Sequence, residues 1–222
     1  MKRIVSTSLV IVLLSMAFCA GAVFADNSPM VRLRGGIQGV IDILNDPKYK
    51  GHPENNAEKT AKVRDTIKEF FNFKELSKRS VGRPWLQFTP EEQQRFVDLF
   101  TDLLEQTYLG RIEEYSGEKV AFDNENIIKG KYAQVDTRLI TGQNDIPVFY
   151  RMKLENGEWD VYDVMIEGVS LVKNYRTQFT GILDTSTPEK FAASKTELFD
   201  RLEKKCEELK KPKKTADAQG QQ

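Results

Sequence analysis

The chain has little of what most enzyme active sites require. Its 222 residues include one histidine, His52, and two cysteines, Cys19 and Cys206. A histidine-based triad and a multi-histidine metal site are therefore excluded. His52 lies in the string Gly51-His52-Pro53-Glu54, which has no apolar periodicity and is typical of an exposed loop. No glycine-rich loop has the spacing of a phosphate-binding or dinucleotide-binding motif, so we expect no cofactor of that kind.

The chain also lacks an excess of charge of either sign. Its 33 Lys and Arg residues balance 33 Asp and Glu residues. Proteins that hold nucleic acid through phosphate contacts are usually basic, or carry a concentrated basic face. We therefore expect no nucleic-acid partner.

The only long uncharged stretch is at the N-terminus. Lys2 and Arg3 precede an apolar run from residue 4 to Ala25, which ends in small residues. A short basic segment followed by such a run is typical of a secretory signal peptide. We predict a signal peptide over residues 1–25, cleaved after Ala25, and an exported protein whose one remaining cysteine, Cys206, cannot form an internal disulfide.

Apolar residues recur at helical spacing in the first half of the exported chain. The spacing predicts helices over residues 31–44 and from about residue 58 onward, separated by a polar loop at 49–56. Thr89-Pro90-Glu91-Glu92 has the N-cap residue, proline and glutamate of a helix start. This helix presents a large aromatic and aliphatic face made of Phe96, Leu99, Phe100, Leu103, Leu104 and Tyr108.

From Val120 the apolar period changes from about 3.6 to 2, which predicts strands. Residues 133–139, 148–154 and 159–166 alternate in this way, and Asn156-Gly157 is typical of a tight hairpin turn. Helical spacing then returns at 172–183 and again after Thr187-Pro188.

This order predicts an α+β fold in which a curved antiparallel sheet packs with helices and a helical lobe. We expect helices from both ends of the chain to cover one face of the sheet and to leave an apolar pocket. Residues 26–209 are predicted to form one domain. Residues 210–222, which are basic and then polar, are predicted to be a disordered tail.

One acidic residue favours an alternative. Strict alternation places Asp163 on the strand face of Trp159, Val161 and Met165, where a buried carboxylate could act as a base. An isomerase or dehydratase would use Asp163 as the base and Tyr150 or Tyr162 as the donor. The other interpretation of Asp163 is a hydrogen-bonded structural carboxylate, or one turned outward by a bulge.

Several segments resemble a known family. They are Phe70-Phe71-Asn72-Phe73, Ser80-Val81-Gly82-Arg83-Pro84-Trp85, residues 96–108, Ile146-Pro147-Val148-Phe149-Tyr150, Trp159-Asp160-Val161-Tyr162-Asp163-Val164, Glu167-Gly168-Val169-Ser170-Leu171 and Asn174-Tyr175-Arg176. In these segments the chain resembles the MlaC-type periplasmic phospholipid-binding proteins, also called the toluene-tolerance auxiliary family. It departs from them at Asn72, where the family usually has aspartate, and in a longer polar loop at 49–56.

The resemblance implies a nuclear-transport-factor-like curved sheet with a helical lobe, between which acyl chains lie. It implies a periplasmic carrier, not an enzyme, that shuttles phospholipid between an outer-membrane lipoprotein–porin complex and an inner-membrane ABC transporter with a ring of MCE domains, and so maintains outer-membrane lipid asymmetry. A third hypothesis is a structural envelope protein with a filled core.

We expect fourteen apolar residues from the helix faces and the sheet to line the lipid pocket. They are Trp85, Phe96, Phe100, Leu103, Leu104, Val148, Tyr150, Met152, Val164, Ile166, Val169, Leu171, Tyr175 and Phe179. Arg83 and Arg176 are predicted to lie near the phosphate, or else to form structural ion pairs. No metal site and no cofactor are predicted, and the bound ligand is phospholipid.

Overall fold

The computed structural model describes residues 27–142 and 144–210. The predicted signal peptide and the predicted tail beyond residue 210 lie outside these ranges. The helices are α1 (Pro29–Asn45), α2 (Asn56–Phe70), α3 (Phe73–Val81), α4 (Pro90–Glu113), α5 (Leu171–Thr180) and α6 (Pro188–Lys210), with short 3-10 helices at Pro53–Asn55 and Arg83–Gln87. The strands are β1 (Lys119–Ile128), β2 (Tyr132–Ile140), β3 (Asp145–Glu155), β4 (Glu158–Ile166) and β5 (Val169–Ser170).

The five strands form one antiparallel sheet in the order β1-β2-β3-β4-β5. The turn between β3 and β4 uses Asn156 and Gly157, both with positive φ, at 53° and 86°. Two successive left-handed residues give the turn whose twist matches that of paired strands. The predicted α+β fold with an antiparallel meander is confirmed.

The start of α4 is specified locally, as the sequence predicted. The Thr89 hydroxyl accepts a hydrogen bond from the Glu92 amide at 3.2 Å, and the Glu92 carboxylate accepts one from the Thr89 amide at 2.8 Å. Pro90 occupies the first turn, where its missing N–H leaves no bond unmade. This reciprocal cap sets the position at which α4 begins.

Within the residues that the structure describes, two separate apolar clusters hold the fold together. In the sheet cluster, Leu33 of α1 and Val63 and Phe70 of α2 pack on side chains from the inner face of the sheet, such as Val135 and Met152. The helical lobe, built from α3 to α6, contains the second cluster. The inner face is therefore covered by helices from the N-terminal part of the chain.

The sequence predicted that the C-terminal helix covers the sheet, and this prediction was wrong. Helix α6 packs on α4, and its buried residues Leu198, Leu202 and Cys206 belong to the lobe. The physical reason is that the apolar face of α4 is wide enough to need a partner helix of its own. Cys206 is a packing residue of this cluster, and burial raises the pKa of its thiol.

A bulge in β4 corrects the predicted alternation. Val161 is opposite Met152, but the pairing shifts so that Asp163 is opposite Arg151 and Val164 is opposite Tyr150. The extra residue turns Asp163 to the outer face of the sheet, away from the face of Val161. Strict alternation was therefore wrong for Asp163, because it assumed an unbroken pleat.

The same substitution at two leucines tests the packing of the lobe. Leu198 is fully buried in the lobe, and Leu86 is 80% exposed. We expect Leu198→Ala to lower the free energy of unfolding by about 2–5 kcal/mol, because it leaves a cavity. We expect Leu86→Ala to change it by less than about 0.5 kcal/mol. Urea unfolding followed by circular dichroism measures both values, and similar losses at the two sites would contradict the assigned packing.

Candidate functional site

Eight of the residues predicted to line a pocket lie in or against the core of the helical lobe. They are Trp85, Phe96, Phe100, Leu103, Leu104, Leu171, Tyr175 and Phe179. Their rings meet closely, with centroids 4.8 Å apart for Phe100 and Tyr175 and 5.4 Å apart for Phe96 and Phe179. In this structure these residues pack against one another, and their contact with a ligand stays a prediction.

The other predicted lining residues share the inner face of the sheet. Met152 is buried in the sheet cluster, and the face continues along what we call the inner strip: Val148, Tyr150, Val164, Ile166 and Val169. The bulge places Val164 and Ile166 on this face, opposite Tyr150 and Val148.

The inner strip becomes steadily more exposed toward β5. Val148 is 9% exposed, Ile166 is 46% exposed and Val169 is 63% exposed. Leu139 of β2 and its partner Ile146 of β3 lie beside this open end and are also partly exposed. The strip thus runs from the sheet core to an apolar end that solvent can reach.

Two buried tyrosines, Tyr150 of the inner strip and Tyr175 of the lobe, are uncharged at physiological pH. Burial raises the pKa of Tyr150 to about 12, although its side chain keeps some accessible surface. The pKa of Tyr175 in the lobe is also raised to about 12, mainly by burial and to a smaller extent by the nearby phenol of Tyr108. Neither phenol therefore adds a charge to the apolar side chains around it.

A cavity of about 500 Å³ lies on the other side of β4, between the outer face of the sheet, α3 and α5. Its lining is Arg79, Arg151, Tyr162, Asp163, Ser170, Val172, Lys173, Arg176, Thr177 and Thr180. We call it the outer cavity. It is dominated by cationic and hydroxyl groups, so its chemistry is opposite to that of the inner strip.

Asp163 links the outer cavity to the start of α5. Its carboxylate accepts hydrogen bonds from the Ser170 hydroxyl at 2.7 Å, the Val172 amide at 3.0 Å and Arg151 Nη1 at 3.3 Å. The Asp163 side chain is 1% exposed. Three donors satisfy a buried charge of this kind, and the arrangement is that of a structural carboxylate.

A second buried carboxylate fixes Arg79 at the edge of the outer cavity. Glu75 accepts from Arg79 Nε at 2.8 Å and from Lys153 Nζ at 3.1 Å. Burial alone would raise the pKa of Glu75, but the hydrogen bond from Lys153 and the charge of Arg79 hold it below its ordinary value.

The two arginines predicted near a phosphate do not line one cavity. Arg176 lines the outer cavity and donates from Nε, at 2.7 Å, and from Nη2 to the carbonyl of Arg79. Arg83 begins the 3-10 helix after α3 and does not line that cavity. The sequence interpretation missed Arg79, Arg151 and Lys173. The spacing of Lys173 and Arg176 on one helix was the only local signal of a basic face.

Most of this chain matches one known protein family. The sequence model of the MlaC protein family matches residues 36–197. The chain belongs to the MlaC family. In the described ranges there is no helix that could cross a membrane and no group of three or more His, Cys, Asp and Glu side chains placed to hold a metal ion.

Two individual proteins and a solved structure are also similar to this chain. The intermembrane phospholipid transport system binding protein MlaC of Haemophilus influenzae is 23% identical over 165 residues, 72% of this chain and 77% of that protein. The toluene tolerance protein ttg2D of Pseudomonas putida is 36% identical over 93 residues, 41% of this chain and 43% of that protein. The structure of a phospholipid-binding protein from Ralstonia solanacearum in complex with a phospholipid matches with a TM-score of 0.72 and 24% identity, covering 83% of this chain and 99% of that one. This last likeness supports the fold.

Removing the Asp163 carboxylate tests its structural role. We expect Asp163→Ala to lower the free energy of unfolding by about 3–5 kcal/mol, because Arg151 and the Val172 amide lose a buried charged partner. Hydrogen exchange at the Val172 amide should accelerate more than exchange in α6. Asp200→Ala, at an exposed position in α6, is the control and should leave both measurements unchanged. Unchanged stability in Asp163→Ala would contradict the structural role.

The pKa of Glu75 predicts a pH dependence. Because the pKa is lower in the folded chain than the unfolded value of about 4.3, ionised Glu75 stabilises the fold above that value. The contribution is lost as the pH falls through the lower, folded pKa. We expect the free energy of unfolding to fall less steeply below about pH 4.5 in Glu75→Gln than in the unsubstituted protein. Urea titrations from pH 7 to pH 3 measure this, and Glu207→Gln, at an exposed carboxylate, should keep the unsubstituted slope.

Proposed function

We propose that this protein is a phospholipid carrier of the periplasm. The observation that carries the proposal is the inner strip, an apolar face that runs from the sheet core to the exposed pair Ile166 and Val169. Membership of the MlaC family, and the phospholipid-related names of two of the similar proteins, support the same ligand. Acyl chains would lie between the inner strip and the helical lobe.

The energetics of lipid transfer explain why such a carrier is needed. Moving two acyl chains through water exposes about 30 methylene groups at about 0.8 kcal/mol each, roughly 24 kcal/mol in total. An apolar cleft removes most of this cost without making a covalent bond. Binding then stays reversible, and partners can direct loading and release.

The proposed location and partners follow from the family and from the N-terminal sequence. Residues 1–25 would direct export and be cleaved after Ala25. In the periplasm the carrier would exchange lipid with an outer-membrane lipoprotein–porin complex and with an inner-membrane ABC transporter that has a ring of MCE domains. This exchange would maintain the lipid asymmetry of the outer membrane.

We propose no catalytic role for the chain. The isomerase or dehydratase hypothesis needs Asp163 free to accept a proton, but three donors occupy its carboxylate. Tyr150 lies on the opposite face of the sheet, so it cannot act on a substrate held at Asp163. Tyr162 does line the outer cavity, but its ring faces the guanidinium of Arg79, with 4.1 Å from Cζ to the ring centroid. No observation favours this second function.

Purification without added lipid tests the carrier proposal directly. We expect native mass spectrometry of the exported protein to show a mass increase of one phospholipid, and solvent extraction to release the same lipid. Protein that is consistently empty after gentle purification would overturn the proposal.

Two neighbouring residues of β4 provide a matched pair for locating the cleft. Val164 points to the inner face and Met165 to the outer face, and both are partly exposed. We expect Val164→Trp to lower the phospholipid content per protein by about tenfold or more, because an indole would occupy the space of an acyl chain. Met165→Trp should keep the lipid content of the unsubstituted protein. Equal loading of both variants would place the acyl chains elsewhere.

A further inference from the structure

We propose that the outer cavity is an anion-binding site that holds a phosphate group, separate from the cleft for acyl chains. The site is formed by Arg79, Arg151, Lys173 and Arg176. The proposal does not depend on the carrier function. The volume of the outer cavity is about 500 Å³, which lies within the range of about 300–1,000 Å³ that small-ligand sites occupy. A phosphate ester therefore fits this cavity better than a bare ion.

The charges around the outer cavity do not cancel. Four cationic side chains line it, and Asp163 is the only carboxylate among its lining residues. Asp163 is paired with Arg151. Glu75, which does not line the cavity, is paired with Arg79. In residues 27–142 and 144–210, neither Lys173 nor Arg176 forms an ion pair with a carboxylate. Two positive charges therefore face the cavity uncompensated.

The three guanidinium groups are already held in place. Arg79 lies over the ring of Tyr162 and bonds to Glu75 through Nε. Arg151 bonds to Asp163 through Nη1, and Arg176 bonds to the Arg79 carbonyl through Nε and Nη2. A guanidinium has five N–H groups, so each arginine keeps donors for a ligand.

Guanidinium groups that are fixed in this way are well placed to bind the oxygens of a phosphate group. Arginine binds phosphate through parallel, charge-assisted hydrogen bonds, and fixed side chains lose little entropy when the ligand arrives. Lys173 adds a point charge from the first turn of α5, three residues before Arg176. Thr177 and Thr180 are not needed as donors, since their hydroxyls bond to the carbonyls of Lys173 and Arg176.

The outer cavity and the inner strip are on opposite faces of the same strands. Arg151 and Asp163 point outward at the register where Tyr150 and Val164 point inward. A phosphate in the outer cavity therefore has the backbone of β3 and β4 between it and acyl chains on the inner strip. Its source is either a soluble phosphate ester or the headgroup of another lipid, displayed on a membrane surface.

Two experiments on the exported chain distinguish these sources. Isothermal titration calorimetry at low ionic strength uses sn-glycerol 3-phosphate and, separately, inorganic phosphate. Co-sedimentation uses vesicles of phosphatidylglycerol, with vesicles of phosphatidylcholine for comparison. The substitutions are Lys173→Gln and Arg176→Gln, and Lys204→Gln, at an exposed position of α6, is the matched control.

We expect Lys173→Gln to weaken binding by about tenfold, the effect of losing one charge-assisted hydrogen bond, and Lys204→Gln to leave it unchanged. If Lys173→Gln weakens binding in the calorimetry with soluble phosphate compounds, the source is a phosphate ester. If it weakens only the binding to phosphatidylglycerol vesicles, the source is a membrane headgroup. Either result supports the site.

Absence of binding in both experiments would overturn the site, and so would equal weakening in Lys173→Gln and Lys204→Gln. Arg176 also bonds to the end of α3, so a thermal melt checks that Arg176→Gln is folded. If it is not, Lys173→Gln alone decides the result. The phospholipid extracted from these variants should match that of the unsubstituted protein, which separates a failure of this site from a failure of the acyl cleft.

Discussion

The buried carboxylate of Asp163 is the interaction on which the two faces of this molecule depend. It lies directly after the bulge in β4, and its bonds to Ser170 and to the Val172 amide tie the strand to the beginning of α5. Burial of a charge is costly unless donors surround it, and here the donors come from three different elements. The bulge, the turn into β5 and the first turn of α5 are therefore specified together.

This arrangement determines which side chains of β4 lie on the inner face of the sheet and which lie on the outer face. Ahead of the bulge Trp159 and Val161 pack in the sheet core, and after it Val164 and Ile166 stay on that same inner face. Asp163 and Met165 then point outward, where Arg151 and Phe149 are their partners. One extra residue keeps an apolar strip continuous on one face and places a buried charge on the other.

The helical lobe explains how an apolar strip can remain open at one end. Helices α4 and α6 bury their wide aromatic and aliphatic faces mainly against each other and against α3 and α5. Only the end of α4, through Leu109 and Ile112, joins the cluster at the sheet. Because the lobe has a core of its own, it does not need to cover the whole sheet, and this arrangement suits the cleft that we propose for acyl chains.

The amino-acid sequence by itself determined the features that depend on near neighbours. The cap at Thr89, the hairpin at Asn156-Gly157, the strand alternation and the family resemblance each depend on residues close together in the chain, and the structure confirms the fold that they predicted. The fourteen predicted lining residues were chosen by periodicity, which identifies an apolar face but not what covers it. Only the tertiary structure decided that α6 packs on α4, that Asp163 turns outward, and that Arg79, Arg151 and Arg176 meet in one cavity. These contacts join residues far apart in sequence, and their geometry is set by long-range packing and by the satisfaction of buried charges, which no local pattern encodes.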